Sequence, residues 1–193
     1  MAKLIGNKTN IAVFISGRGS NLKYLIINSK IKKSLFKVCL VISNNPKATG
    51  LKYAKKSKIK YYIVNYKNSN NLETKLLKLI KKFKIEVICL AGFMKILSKN
   101  FINNFNKPIL NIHPSLLPKY KGLNTHLKVL KNKDKFSGST VHLVTPKLDS
   151  GKIVMQKKIK VSKSDNKMSL EKKILKLEHY LYSKAINNFL SSL

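Results

Sequence analysis

Short apolar runs recur along this chain, and the polar stretches between them keep a helical spacing. The runs predict strands at Asn10–Ser16, Lys37–Ser43, Lys60–Val64, Glu86–Ala91, Ile109–His113, Gly138–Thr145 and Lys152–Val161. Helical patterns fall at Ser20–Ile31, Lys47–Ser57, Leu72–Phe83 and Ser169–Leu190. In the third, Leu72, Leu76, Leu77, Leu79, Ile80 and Phe83 lie close to a 3.6-residue period. Asn44-Asn45-Pro46 marks a turn ahead of the second. Nearly continuous apolar strands alternating with helices predict an α/β fold: a single domain with a mostly parallel, twisted sheet of about seven strands flanked by helices. The last two runs, with Gly151 between them, predict a hairpin at one edge. No linker, repeat or composition break divides residues 1–193.

Composition narrows the class. With 44% hydrophobic residues the chain is no disordered basic tail. Its longest apolar run, Val87–Met94, is far short of the ~18–20 residues of a membrane span. The stretch Ile11–Ile15 is shorter than the ~7–15 apolar residues of a signal peptide, and Gly17-Arg18-Gly19 follows it instead of a cleavage site. Cys39 and Cys89 both lie in apolar runs and are expected as buried thiols, which points to a reducing cytoplasm and to no metal site.

Charge changes the picture less than its size suggests. Forty basic residues against seven acidic ones give a net charge of +33. All but one of the basic residues are Lys; Arg18 is the only Arg. Base-reading and phosphate-clamping surfaces favour the bidentate Arg fork. The Lys are spread over the whole chain, and Lys, Asn and Ile share A/T-rich codons. Only non-specific nucleic-acid contact is therefore expected, together with attraction of small anionic substrates.

Ligands of open α/β sheets sit beyond the carboxyl ends of the strands, so the residues that follow each run carry the candidate chemistry. After the first comes Ser16-Gly17-Arg18-Gly19-Ser20-Asn21-Leu22, where the glycines permit a tight turn and Ser20 or Asn21 can cap the next helix. The loop lacks the third Gly of a dinucleotide fingerprint and the GK[ST] of a P-loop, and suits one phosphate. After the fourth comes the apolar Leu90–Leu97, read either as a flat pocket for an aromatic ligand or as packing for the next helix.

After the fifth run come Asn111-Ile112-His113-Pro114. Alternation places Asn111 and His113 on one side of the strand, and Pro114 stops it. An amide N–H and a protonated imidazole could donate together to a developing oxyanion. Five of the seven acids, Glu73, Glu86, Asp134, Asp165 and Glu171, are expected at the solvated surface. Asp149 lies between two strand-like runs, either as a turn residue or as a carboxylate raising the His113 pKa. Glu178 is either a helix-end surface acid or a partner for a substrate amine. His126 and His142 rank behind His113, and no His, Cys or acid spacing suggests a metal.

The ordered set SGRGSNL, LAGFMKILS, NIHPSLLPKYKG, GSTVH and LDSG resembles the phosphoribosylglycinamide formyltransferase family of de novo purine synthesis, from about Asn10 to Asn188. The resemblance implies a mostly parallel sheet with a Rossmann-like N-terminal half. It implies a short extension at 1–9, a phosphate-binding half over about 10–105 and a catalytic, folate-binding half over about 106–193. The implied reaction moves a formyl group from the co-substrate 10-formyltetrahydrofolate to the amine of 5′-phosphoribosylglycinamide, without metal. By motif match, Gly19, Ser20 and Asn21 would hold the substrate phosphate, and Glu178 would approach its amine. Met94, Lys95, Ile96 and Leu97, with Asn111, would line the folate pocket. Asn111, His113 and Asp149 would be the catalytic group. Lys95 stands where the family commonly has Arg. Lys67 would replace a folate-contacting Arg near Ser69-Asn70-Asn71. Lys121 and Asn124 stand where Pro and His are more usual.

Three alternatives fit parts of the same pattern. A methionyl-tRNA formyltransferase shares the Asn-x-His and SLLP region but carries a further C-terminal domain. A formyltetrahydrofolate deformylase would pass the formyl group to water and usually has an N-terminal regulatory domain, for which the nine residues before Asn10 leave no room. A Lys-rich RNA-binding protein would need no catalysis. A monomer or a homodimer is expected, with small-molecule partners and no membrane.

Overall fold

The structure, a computed structural model, describes residues 8–65 and 71–193. Its strands are β1 (Thr9–Ile15), β2 (Phe36–Ser43), β3 (Lys60–Ile63), β4 (Val87–Leu90), β5 (Ile109–His113), β6 (Phe136–Leu143) and β7 (Ile153–Lys160). They pair in one sheet in the order β3-β2-β1-β4-β5-β6-β7. β1 to β5 run parallel, while β5–β6 and β6–β7 pair antiparallel. The expected edge hairpin is thus β6–β7. The order reverses between β1 and β4, where the loops after two central strands diverge and open a crevice.

Both faces of the sheet are covered, and the period-2 rule assigns them. Ile11, Val13 and Ile15 of β1 pack with Leu22, Leu25 and Ile26 of helix α1 (Ser20–Ser29) and Leu181, Ala185 and Ile186 of helix α6 (Lys167–Ser191). Ala12 and Phe14 face the other way, onto Leu76 and Ile80 of α3 (Leu72–Lys82) and Phe101 and Phe105 of α4 (Lys99–Phe105). β2 breaks the rule once. Ile11 pairs with Val38 and Ala12 with Leu40, so Cys39 is an extra residue in a bulge. Val38 and Leu40 therefore face opposite layers despite their spacing. The bulge leaves Cys39 half-buried, against expectation, while Cys89 of β4 is fully buried.

Several boundaries differ from the sequence reading. The second helix, α2 (Leu51–Lys56), starts only after Gly50, because Gly50 packs against the loop after β1. β6 lies two residues earlier than predicted at both ends. Helix α6 begins at Lys167, where Asn166 and Ser169 form a reciprocal capping box. Two helices were not predicted, α4 and α5 (Thr125–Lys131). Each has seven residues, too few for a periodic signal. α4 is nonetheless capped, by the Ser98 side chain accepting from the Phe101 N–H. Among the described residues no helix is long and apolar enough to cross a membrane.

Candidate active site

The loop after β1 is shaped by two backbones in contact. Gly19 adopts a left-handed conformation (φ 67°), and a Cβ placed on it would lie 2.6 Å from the Gly50 Cα. The Gly50 N–H donates to the Gly17 carbonyl at 3.0 Å. The expected capping by Ser20 or Asn21 is absent: Gly19 holds the cap position of α1 with no side-chain bond. The first turn of α1 itself carries no acid, so an anion at its N–H groups would meet no carboxylate from that turn. Arg18 pairs with Glu171 of α6 at the cavity mouth. Glu171 is thus a cross-loop ion-pair partner and not merely a solvated acid.

Asn21 is used differently from a cap. Its Nδ2 donates to Glu178 Oε2 at 2.8 Å, joining the loop to α6. Glu178 is 6% exposed, not the surface acid of one reading. Its Oε1 lies 3.3 Å from the Ser139 hydroxyl, which also donates to the His113 carbonyl at 2.9 Å. One hydroxyl proton cannot serve both acceptors well, and a protonated carboxyl supplies the missing one. Burial pushes the Glu178 pKa up to about 7, against the two hydrogen bonds that pull it down. The Asn21 Oδ1 is buried without a protein hydrogen-bond partner, so a ligand donor would find an unsatisfied acceptor beside Glu178.

The last two residues of one face of β5 supply the centre. Pro114 follows His113, and the strand ends there as predicted. His113 Nε2 lies 2.9 Å from the Tyr120 carbonyl and can only donate to it. His113 Nδ1 lies 3.4 Å from Asp149 Oδ2. Asp149 has a positive φ of 45°, and its Oδ2 also accepts from the Gly122 N–H at 2.8 Å. Asp149 acts on the His113 pKa in the expected direction but does not set the net shift. Asp149 and the Tyr120 carbonyl do pull it upward, but burial outweighs both and the net shift is downward. The Asp149 pKa is lowered although burial, its largest single influence, opposes this: the nearby His142 and His113 imidazoles and the Gly122 hydrogen bond together prevail.

His142, placed with His126 behind His113 in the sequence, lies beside this centre. It is the direct cross-strand partner of Asn111 in the β5–β6 register. Asn111 Nδ2 lies 3.2 Å from His142 Nε2, and Asp149 Oδ1 lies 3.5 Å from the same nitrogen. The signal that could have found it is the even spacing of Thr140 and His142, which puts both on one face once β6 is paired antiparallel with β5. His126 lines the cavity from α5, beyond this cluster.

The loop after β4 forms the apolar side. Gly92 is left-handed (φ 72°); its carbonyl accepts from the Ser16 N–H, and the Ser16 hydroxyl accepts from the Met94 N–H at 2.7 Å. The loop is thereby tied to the end of β1. Leu97 turns into the core, while Met94 and Ile96 remain exposed at 63% and 74%. Leu97 thus packs with Phe101 and Phe105 of the next helix, as one reading expects, and Met94 and Ile96 are left lining the cavity. Lys95 lies between the two exposed side chains.

One cavity of about 790 Å³ gathers these parts. It is lined by Gly19, Ser20 and Asn21, by Met94, Lys95, Ile96 and Leu97, by Asn111, His113 and Asp149, and by Glu178. Lys121 instead reaches the Ser150 hydroxyl at 2.6 Å, while Asn124 lines the cavity from a left-handed cap position at α5. Lys67, Ser69 and Asn70 lie outside the described residues. Among the described residues no group of three or more His, Cys, Asp or Glu could hold a metal ion.

The comparisons agree with this architecture. Residues 9–186 match the formyl transferase family. The chain is 38% identical over 182 residues to the trifunctional purine biosynthetic protein adenosine-3 of Bos taurus, covering 93% of this chain but only 18% of that protein, less than a fifth of its length. It is 38% identical over 183 residues to the phosphoribosylglycinamide formyltransferase of Escherichia coli, covering 93% of this chain and 86% of that one. The crystal structure of phosphoribosylglycinamide formyltransferase from Brucella melitensis superposes with a TM-score of 0.90 at 36% identity, covering 95% of this chain and 96% of that chain. The corresponding structure from Anaplasma phagocytophilum gives 0.88 at 36% identity, with 94% and 86% covered. By sequence and by fold alike, this chain belongs to the formyl transferase family.

Proposed function

We propose that this protein transfers a formyl group from 10-formyltetrahydrofolate to the amine of 5′-phosphoribosylglycinamide, as the names of its relatives suggest. The observation that carries the reading is the placement of Asn111, His113 and Asp149 between an uncapped helix start and an apolar loop, within one cavity. The helix start at Gly19, Ser20 and Asn21 suits the phosphate of one substrate. Met94, Ile96 and the backbone around Lys95 and Leu97 suit a flat heteroaromatic group of the other. In this reading the half over about 10–105 binds the phosphate, and the half over about 106–193 carries the folate contacts and the chemistry.

The geometry divides the labour. The substrate amine attacks the formyl carbon, and the carbonyl oxygen takes up negative charge. Both His113 nitrogens already face protein acceptors, so the free N–H of Asn111 is the donor placed to meet that oxygen. His113, with Nε2–H held by the Tyr120 carbonyl, presents the Nδ1 lone pair toward the Asp149 carboxylate. These two groups are one proton short of a hydrogen bond. The proton released by the attacking amine completes it, directly or through water, and is then passed to the departing folate nitrogen as the carbon–nitrogen bond breaks. Glu178 and the unsatisfied Asn21 oxygen favour a donor-rich ligand at the other wall.

The test offers nuclease-treated protein formyl folate with phosphoribosylglycinamide, with methionyl-tRNA, or with water alone. Turnover only with the glycinamide supports this reading. Turnover with tRNA or with water alone reassigns the acceptor and keeps the cluster. No turnover in any of the three overturns it.

A further inference from the structure

His142 is 2% exposed and has no place in the division of labour above. Its position is fixed by the sheet. Asn111 and His142 face each other directly across the antiparallel β5–β6 seam, so their side chains emerge on the same face. Its ring nitrogens are then assigned by their neighbours. Nδ1 lies 2.9 Å from the Leu143 carbonyl, which can only accept, so Nδ1 carries the hydrogen. In the neutral ring Nε2 is then an acceptor. The carboxamide 3.2 Å away can meet it only with its NH2 end. The reversed carboxamide would set an oxygen lone pair against a nitrogen lone pair.

An amide NH2 has two hydrogens, and His142 takes one. The other is left on a residue that lines the cavity. We infer that His142 is a positioning residue, which locks the Asn111 carboxamide with its N–H edge toward the reacting carbonyl oxygen. The inference rests on the formyl-transfer reading for its kinetic consequence, but not for its geometry. Were the carboxamide free to turn over, its oxygen would replace the donor and repel the developing negative charge. Asp149 Oδ1, 3.5 Å from the same ring nitrogen, is too far to hold the ring in place of Asn111.

The test compares His142→Leu with His142→Gln. Leu fills comparable space and accepts nothing, whereas the Gln carbonyl can accept the Asn111 N–H. For His142→Leu, kcat is expected to fall about 10²-fold, in the range for loss of one oxyanion donor, with KM within about threefold. His142→Gln is expected to recover about tenfold of that loss. A Leu variant that keeps kcat within about threefold overturns the inference, as does a Gln variant no better than Leu. Long-range proton–nitrogen spectra of the wild type read the geometry separately. The Nδ1–H tautomer of His142, with one Asn111 side-chain proton shifted by its hydrogen bond, is expected; the Nε2–H tautomer overturns the inference even if no variant folds. Wild-type protein that transfers no formyl group but shows this tautomer sinks the functional reading and leaves the positioning intact.

Discussion

Glu178 and Asn21 meet in the wall of the cavity, amide nitrogen to carboxyl oxygen at 2.8 Å, and join the last helix to the first loop. The contact keeps a carboxyl group in a place where its charge is costly.

That cost has a sign in pH. The folded pKa of Glu178 is about 7 against an ordinary 4.5, so the native protein holds a proton that the unfolded chain gives up. Its contribution to stability is complete below about pH 4.5 and is lost as pH rises toward about 7, on the order of 3 kcal/mol. Glu178→Gln cannot ionise. Denaturant titrations are expected to show the variant gaining on the wild type between about pH 5 and about pH 8. A difference that stays level across that window would contradict the buried carboxyl.

Asp149→Asn is expected to lower kcat about 10²-fold or more while the KM for the phosphate-bearing substrate stays within about threefold. Asn tolerates the left-handed backbone that Asp149 adopts, so the loop keeps its shape and only the carboxylate is lost. Steady-state kinetics with both substrates varied checks this. Unchanged turnover removes Asp149 from the mechanism.

His113 is expected to act first as a base, because burial holds its pKa below 6.5. The kcat/KM profile should then climb with pH through a limb below pH 6.5, as the imidazole loses its proton. In His113→Asn this limb should disappear. The same profile in wild type and variant assigns the ionisation elsewhere.

Much of this site was legible in the sequence, for reasons that can be named. Pro114 fixes where β5 ends, and alternation then brings Asn111 and His113 to one face. The glycines after β1 mark a turn whatever follows them. The rest depended on distance in three dimensions. His142 acquires its role from an antiparallel pairing partner 31 residues away, which no local pattern encodes. The direction of the His113 shift depends on burial, which here defeats the neighbouring carboxylate that the sequence could suggest. α4 and α5 are too short to show a period, and the Cys39 bulge breaks the alternation on which a burial pattern relies.

The contact between Gly19 and Gly50 has a consequence for anyone redesigning this pocket. Gly50 touches the loop from behind and does not line the cavity, so randomising the cavity walls would leave it untouched. A methyl group there has no room, with the Gly19 Cα 2.7 Å and the Ile15 side chain 2.9 Å away. The loop after β1 would have to shift to make room. Reshaping the loop after β1 therefore starts with a residue outside the cavity lining.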